Sequence, residues 1–194
     1  MSIIAMTNLE FTLDEEEFYK HIHMIRGSKR AIPIQTILDA AKDISNPKVL
    51  YRVSEAKIID ADHFYLDDIL FCSTVAVEKI RHGGLVIPNI VTSGLEIENY
   101  CRTKEKMLEQ YITMELCNFA CGFAQEVMKK DIKKRYDADL VDCIYPGEDG
   151  FHLDSGKRLF ELFSGFEEKI GVTLSEAGLP TPSRTAYGIS FGNK

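Results

Sequence analysis

The chain has 194 residues, 45% of them hydrophobic and 27% charged, which suits a single globular domain carrying at most a small appendage. Its formal charge of −7, from 30 acidic and 23 basic side chains, argues against a nucleic-acid binder, which presents a basic face to phosphates. No apolar run reaches the roughly 18 residues needed to span a bilayer, and MSIIAMTNLEF leads into acids instead of a cleavage region, so a cytoplasmic protein with no membrane partner is predicted.

A first helix is predicted over 14–26: Asp14 to Glu17 put acids in its first turn, Phe18, Ile22 and Ile25 share a face, and Gly27 stops it. Pro33 and Thr36 open a second helix with the stripe Ile37, Leu38, Ala41 and Ile44, ended by Asn46-Pro47. The period then drops to two at Val49, Tyr51 and Val53, as in a strand, and residues 56–60 read as another. His63 to Leu66, Asp67-Asp68 and Ile69 to Phe71 form a hairpin with a tight acidic turn. A short helix over 73–81 is closed by Gly83-Gly84. Residues 85–91 (LVIPNIV) make an apolar strand in which Pro88, lacking a ladder donor, points to an edge or a bulge.

Thr92-Ser93-Gly94 turns into a helix around 95–101, and the longest element follows over 104–135. There Met107, Tyr111, Met114, Leu116, Phe119, Phe123, Met128 and Ile132 recur at steps of three and four, so this helix is expected at the centre of the core. Gly122 inside it costs about 1 kcal/mol against alanine, which a close helix or ligand would explain. Leu140 to Ile144 is a short strand and Tyr145 to Gly150 a turn-rich loop. Asp154 or Ser155 caps a helix carrying Leu159, Phe160, Leu162, Phe163 and Phe166, and Ala186 to Phe191 is the last strand. Strands and helices do not alternate regularly, which fits α+β better than a doubly wound sheet.

The chemistry-bearing residues are scattered. Cys117 and Cys121 stand four apart on the long helix and could together hold a soft metal, with Cys143 as a distant third ligand. Their apolar neighbours favour plain core cysteines. Five cysteines without a secretory signal read as reduced thiols. His21 and His23 diverge on a helix, His82 suits a helix C-terminus, and His152 follows the Pro-Gly loop as a surface residue. The run Lys129, Lys130, Lys133, Lys134 and Arg135 reads as a solvated helix end. Neither a nucleophile elbow nor a phosphate loop occurs.

The last third, YPGEDGFHLDSGKRLFELFSGFEEKIGVTLSEAGLPTPSRTAYGISFG, carries a pattern of its own. Pro146-Gly147, Leu159 to Leu162, Gly171 to Glu176 and Pro182 to Gly188 follow one another in an order and spacing that resemble the reactivation (activation) domain of vitamin B12-dependent methionine synthase. The upstream strands and the long helix fall in the order that family shows. The resemblance implies a twisted, mostly antiparallel sheet packed with helices around one long helix. It would form a core over 46–194, with 1–45 as an N-terminal helical segment, in one domain overall.

The resemblance also implies a function: support of corrinoid reactivation by reductive methylation. S-adenosylmethionine would be the methyl donor, cobalamin would be held by a partner protein or methyltransferase, and flavodoxin or ferredoxin would supply the electron. The cofactor-facing residues it implies are Pro146, Gly147, Glu148, Arg184, Thr185, Tyr187 and Gly188, with Arg184 and Tyr187 toward the corrinoid or its carrier. No catalytic residue and no metal ligand follow from it. The chain departs from the family at four polar positions. An arginine is replaced by Cys143 and a loop tyrosine by Glu148; Cys121 stands for a glutamate on the long helix, and Ser190 for a late tyrosine. These departures imply an alternative, a non-catalytic module that binds a corrinoid protein and has lost S-adenosylmethionine.

Overall fold

The computed structural model describes residues 2–148 and 150–193. Its main sheet has the order β1 (Ile4–Met6), β2 (Lys48–Tyr51), β6 (Leu85–Thr92), β10 (Thr185–Asn193), β7 (Asp139–Ile144), and every neighbouring pair is antiparallel. A second sheet is the meander β3 (Ala56–Ile58), β4 (His63–Leu66), β5 (Ile69–Cys72), turned at Asp67 as the sequence predicts. A short ribbon pairs β8 (Thr173–Leu174) with β9 (Pro180–Thr181). The helices are α1 (Glu15–His21), α2 (Ile32–Ile44), α3 (Thr74–Arg81), α4 (Leu95–Arg102), α5 (Met107–Tyr136) and α6 (Ser155–Glu161).

The main sheet is buried on both faces, which is why LVIPNIV runs apolar instead of alternating. On one face Leu50, Val86, Ile90, Ile189 and Phe191 pack with Phe64, Leu66 and Phe71 of the small sheet and with Leu159 and Phe163 around α6. On the other, Val49, Tyr51, Ile87 and Val91 pack against Ala124, Met128 and Ile132 of α5. A third cluster joins Phe18, Ile34, Leu38 and Ala41 of α1 and α2 to Ile97 of α4 and Leu116 of α5. The N-terminal segment is thus docked on the long helix, and its residues 4–6 add β1 to the sheet edge.

Two local expectations are corrected. The first helix stops at His21, well before Gly27: His23 takes a left-handed backbone, and Ile25, placed on the buried face by periodicity, is 80% exposed. Phe18, Tyr19 and Ile22 supply the anchor by themselves. Pro88, expected at an edge or bulge, lies in an inner strand. The ladder with β2 ends at Tyr51↔Asn89 and resumes only as the bridge Ser54↔Val86, so the missing donor falls in the gap. In that gap the Pro88 carbonyl still accepts from the Arg52 amide at 3.2 Å.

Glu15 ties α1 to its surroundings, receiving Arg26 at 2.6 Å and Lys42 of α2 at 2.7 Å. The hydrogen bond from Lys42 holds its carboxyl below the ordinary value of 4.5. A carboxylate depressed in the fold stabilises it above the unfolded value, and that contribution is lost as pH falls through the folded one. Acid titration of unfolding should therefore be less steep below the ordinary carboxylate range in Glu15→Gln than in the parent. Identical acid limbs in urea melts across that range would contradict this assignment.

Candidate functional site

The strand β10 lies between β6 and β7 and sends alternate side chains to opposite layers. Ile189 and Phe191 enter the small-sheet side, whereas Ser190 faces the α5 side. Four grooves follow one another along β7 and β10 and share lining residues; three border α5, and the one lined by Lys79 borders α3 instead. The first, about 190 Å³, is lined by Asn89, Gln125, Lys129, Cys143, Tyr145 and Ser190. Gln125 also lines a second, about 280 Å³, with Cys121, Gly122 and Arg184. Cys143 also lines a third, about 510 Å³, with Lys79, Gly147 and Glu148. Arg184 also lines a fourth, about 560 Å³, with Glu98, Met107, Tyr111 and Met114.

The sequence-derived candidates divide along this course. Gly188 lies against the loop: a Cβ there would run into the Ile144 carbonyl and meet Tyr145 Cδ1 at 3.0 Å, so the Pro146 turn and the closing strand are in direct contact. Pro146 and Gly147 form that turn, with Gly147 at φ 97° donating to the Phe151 carbonyl at 2.8 Å. Glu148 closes the same loop, its carboxylate accepting from the Tyr145 amide at 3.1 Å. Asp149 in this loop lies outside the described residues. Arg184 and Thr185 are at the far end of the run. Thr185 Oγ1 lies 2.7 Å from the Pro182 carbonyl and 3.0 Å from Thr92 Oγ1. Tyr187 is on the opposite face of β10, edge-on to Phe160 and donating to the Gly178 carbonyl at 3.1 Å. Gly122 has nothing within 4 Å of where a Cβ would stand, so it opens a groove and admits no close helix.

Sequence reasoning missed Asn89, Gln125 and Tyr145. Asn89 is 3% exposed and donates to Ser190 Oγ at 2.9 Å and to the Ile87 carbonyl at 3.0 Å. An asparagine in the middle of LVIPNIV was the available signal, because a buried amide requires partners.

The ionisable groups of the first groove are neutral or paired, Asp142 with Lys79 and Lys129 with Glu126. Burial pushes the Cys143 thiol up, against contacts with Ser190, Tyr145 and Asn89 that favour its anion. Burial likewise raises Cys121, whose sulfur lies 3.7 Å from the Val91 carbonyl. The Tyr145 hydroxyl is raised by the same desolvation. Both thiols and the phenol are therefore neutral at physiological pH. Lys129, the cation of the first groove, is engaged by Glu126 at 2.7 Å. The three helix and strand cysteines do not converge: among the described residues, the one group of three close metal-type ligands is Asp62, His63 and Cys72, elsewhere on the molecule.

No protein-family model matches the chain, and no curated protein does either. Solved structures do. One is the MetH reactivation domain, crystallised bound to AdoHcy, with a TM-score of 0.65 and 13% identity, covering 98% of this chain and 78% of that one. This chain has the reactivation-domain fold. The α+β architecture around one long helix, implied by the sequence resemblance, is thereby established. No helix among the described residues is long and apolar enough to cross a membrane.

The four positions at which the sequence departs from that family come together on this reactivation-domain fold. Cys143 and Ser190 share the first groove, Cys121 lines the second and Glu148 the third. The methionyl end of S-adenosylmethionine carries a carboxylate and an ammonium, and a carboxylate is held best by a bidentate guanidinium. Here Cys143, Ser190 and Asn89 line the first groove, Cys121 the second and Glu148 the third. The cations of the first two are Lys129, engaged by Glu126, and Arg184 at the far end, so the arginine that the resemblance implies at position 143 has no replacement beside Cys143.

Two measurements follow from this packing. Gly188→Ala forces β10 away from the Ile144 carbonyl and should cost about 2–3 kcal/mol in urea unfolding; a change within experimental error would show that the strand and loop are not in contact. Cys117 is 3% exposed and burial pushes it up to about 12, so it is the least reactive form of a thiol. In the native protein at about pH 8, alkylation mapped by mass spectrometry should reach Cys117 last of the five cysteines. Labelling of Cys117 as fast as that of Cys72 would contradict its burial.

Proposed function

We propose that this chain is a non-catalytic binding module of reactivation-domain fold, which docks on a corrinoid-carrying protein and does not retain S-adenosylmethionine. The observation that carries this reading is the missing guanidinium at position 143: where the resemblance implies an arginine, the chain presents Cys143 beside Ser190 and Asn89, and no arginine lines that first groove. The shape-defining parts remain: Pro146 and Gly147 form the turn, and Gly188 lies against Ile144 and Tyr145, which lead into it.

The docking face is assigned to the far end of the run of grooves. Met107 is 85% exposed there, with Leu108, Tyr111 and Met114 half-exposed beside it on one flank of α5. Methionine is a pliant residue suited to partner surfaces, and tyrosine and arginine are the residues that dominate interface energetics. Arg184 borders this patch. Among the described residues no carboxylate lies within 4.0 Å of its guanidinium, whereas the neighbouring Arg102 is paired with Glu98 at 2.6 Å. The sequence resemblance turned Arg184 and Tyr187 toward the corrinoid or its carrier, and this reading keeps Arg184 there, with Thr185 beside it. Tyr187 enters only as support from the opposite face of β10.

Isothermal titration of the whole chain tests the reading. A cob(II)alamin-loaded carrier protein should bind saturably, and Arg184→Ala should weaken that binding by about 1–2 kcal/mol, while S-adenosylmethionine gives no saturable heat up to millimolar concentration. Saturable binding of S-adenosylmethionine would restore the catalytic reading, with its reductive methylation and its flavodoxin or ferredoxin. Failure to bind the loaded carrier would remove the corrinoid connection.

A further inference from the structure

We propose that Asp62, His63 and Cys72, with Asp60 beside them, form a site for a divalent ion of the zinc class on the outer hairpin, on the opposite side of the main sheet from the α5 grooves. His63 opens β4 and Cys72 closes β5, and the two are directly opposed in the antiparallel register, so imidazole and thiol leave the same face of one residue pair. His63 Nδ1 lies 2.8 Å from Asp62 Oδ1 and 3.0 Å from Asp60 Oδ1, and Cys72 Sγ lies 3.8 Å from Asp62 Oδ2. The ligand atoms of Asp62, His63 and Cys72 all fall within 4.8 Å of one another. Around a tetrahedral zinc ion, bond lengths of about 2.0–2.3 Å put neighbouring ligand atoms roughly 3.3–3.8 Å apart, which these side chains meet with small rotations.

Three features separate this arrangement from an ordinary group of surface acids. The donors are mixed: a nitrogen, a sulfur and carboxylate oxygens are the set that selects zinc over magnesium or calcium. Two carboxylates converge on a single ring nitrogen, which has at most one proton to give, so the ring can satisfy only one of them at a time. Among the described residues no lysine or arginine lies within 4.0 Å of either; Arg81 reaches only the Asp60 backbone carbonyl, at 3.5 Å. The backbone is also fixed in advance. Asp60 Oδ1 accepts from the amides of Asp62 at 3.1 Å and His63 at 2.8 Å, and the Ser73 amide donates to the Asp62 carbonyl at 2.7 Å. As the ion binds, the sulfur–metal bond replaces the thiol S–H bond and the proton leaves to solvent.

Cobalt(II) titration of the intact reduced chain, without oxygen, reads the site directly. A thiolate-to-cobalt charge-transfer band should appear with the ligand-field bands of a tetrahedral ion, and zinc(II) should displace both. Cys72→Ser should abolish the charge-transfer band while some cobalt still binds. His63→Gln and Asp62→Asn should each weaken cobalt binding at least about tenfold, the loss that even outer partners of metal ligands produce. The hairpin positions are half-exposed, and unchanged thermal unfolding would establish that these variants fold. Absence of saturable cobalt binding by the folded parent, or a charge-transfer band that survives in Cys72→Ser, overturns the proposal. None of these readouts involves the α5 grooves or a corrinoid.

Discussion

The close approach of α5 to the inner strands is the contact on which the remaining architecture rests. It is possible because the helix turns small residues toward the sheet: Ala120 and Ala124 are fully buried, and Cys121 comes within reach of the Val91 carbonyl. Larger side chains at those positions would lift a 30-residue helix off Val91 and Ile87 and open the core along its length. Tyr51 fixes the register of the contact at the other end. It is fully buried, and its hydroxyl donates to Asp131 of α5, which also receives Arg135 at 2.7 Å. A buried phenol so engaged leaves no orphan polar group between helix and sheet.

The sheet supplies the other half of the constraint. β10 pairs with β6 from Thr185 to Gly192 and with β7 from Ile189 to Asn193, so it cannot slide without breaking two ladders. A strand held on both edges makes a rigid groove floor, and Gly188 lets the Pro146 loop close onto it. This explains how the grooves persist while the side chains lining them differ from those the sequence resemblance calls for. Backbone pairing and α5 packing set the shape, and neither depends on residues 121, 143, 148 or 190 having any particular polarity. Shape and chemistry are separable here: the groove keeps its walls while the position of the implied arginine holds a cysteine, which cannot pair with a carboxylate.

How much of this could be read in the chain follows from whether the cause was local. Thr92-Ser93-Gly94 leading into α4 and Asp67 turning the hairpin are local devices that turn chemistry found, and the helix over 73–81 was read without its cap, Ser73 accepting from the Ala76 amide. The long helix was legible from its apolar steps. The strand at Ile4–Met6 was not, because three residues carry no measurable period and gain their place only by pairing with β2. Pro88 misled for a related reason: its neighbours in the sheet, and the gap in the β2 ladder that accommodates it, are set by chain segments far away in sequence. The approach of the Pro146-Gly147 loop to the closing strand was legible as a backbone motif, and Gly188 does lie against that loop at Ile144 and Tyr145. Tyr187 shows the limit of such reading, since strand alternation decides its face and the residue one place along, Gly188, faces the grooves.

The two faces of the main sheet also determine how its sites can influence one another. The hairpin that carries His63 and Cys72 is anchored by Phe64, Leu66 and Phe71 to the cluster around α6, and the α5 grooves belong to the other layer. Coupling between sites requires an element with two arrangements that both sites bias. The material between the hairpin and the grooves that border α5 is the doubly paired core of β6 and β10, fully buried at Ile87, Ile90, Val91 and Ile189. A charge placed on the hairpin acts on those grooves across a screened exterior and a packed sheet. The groove lined by Lys79 stands apart, because α3 carries Lys79 and starts directly after Cys72 and Ser73, so any influence of the hairpin on the Cys143 loop runs through that helix.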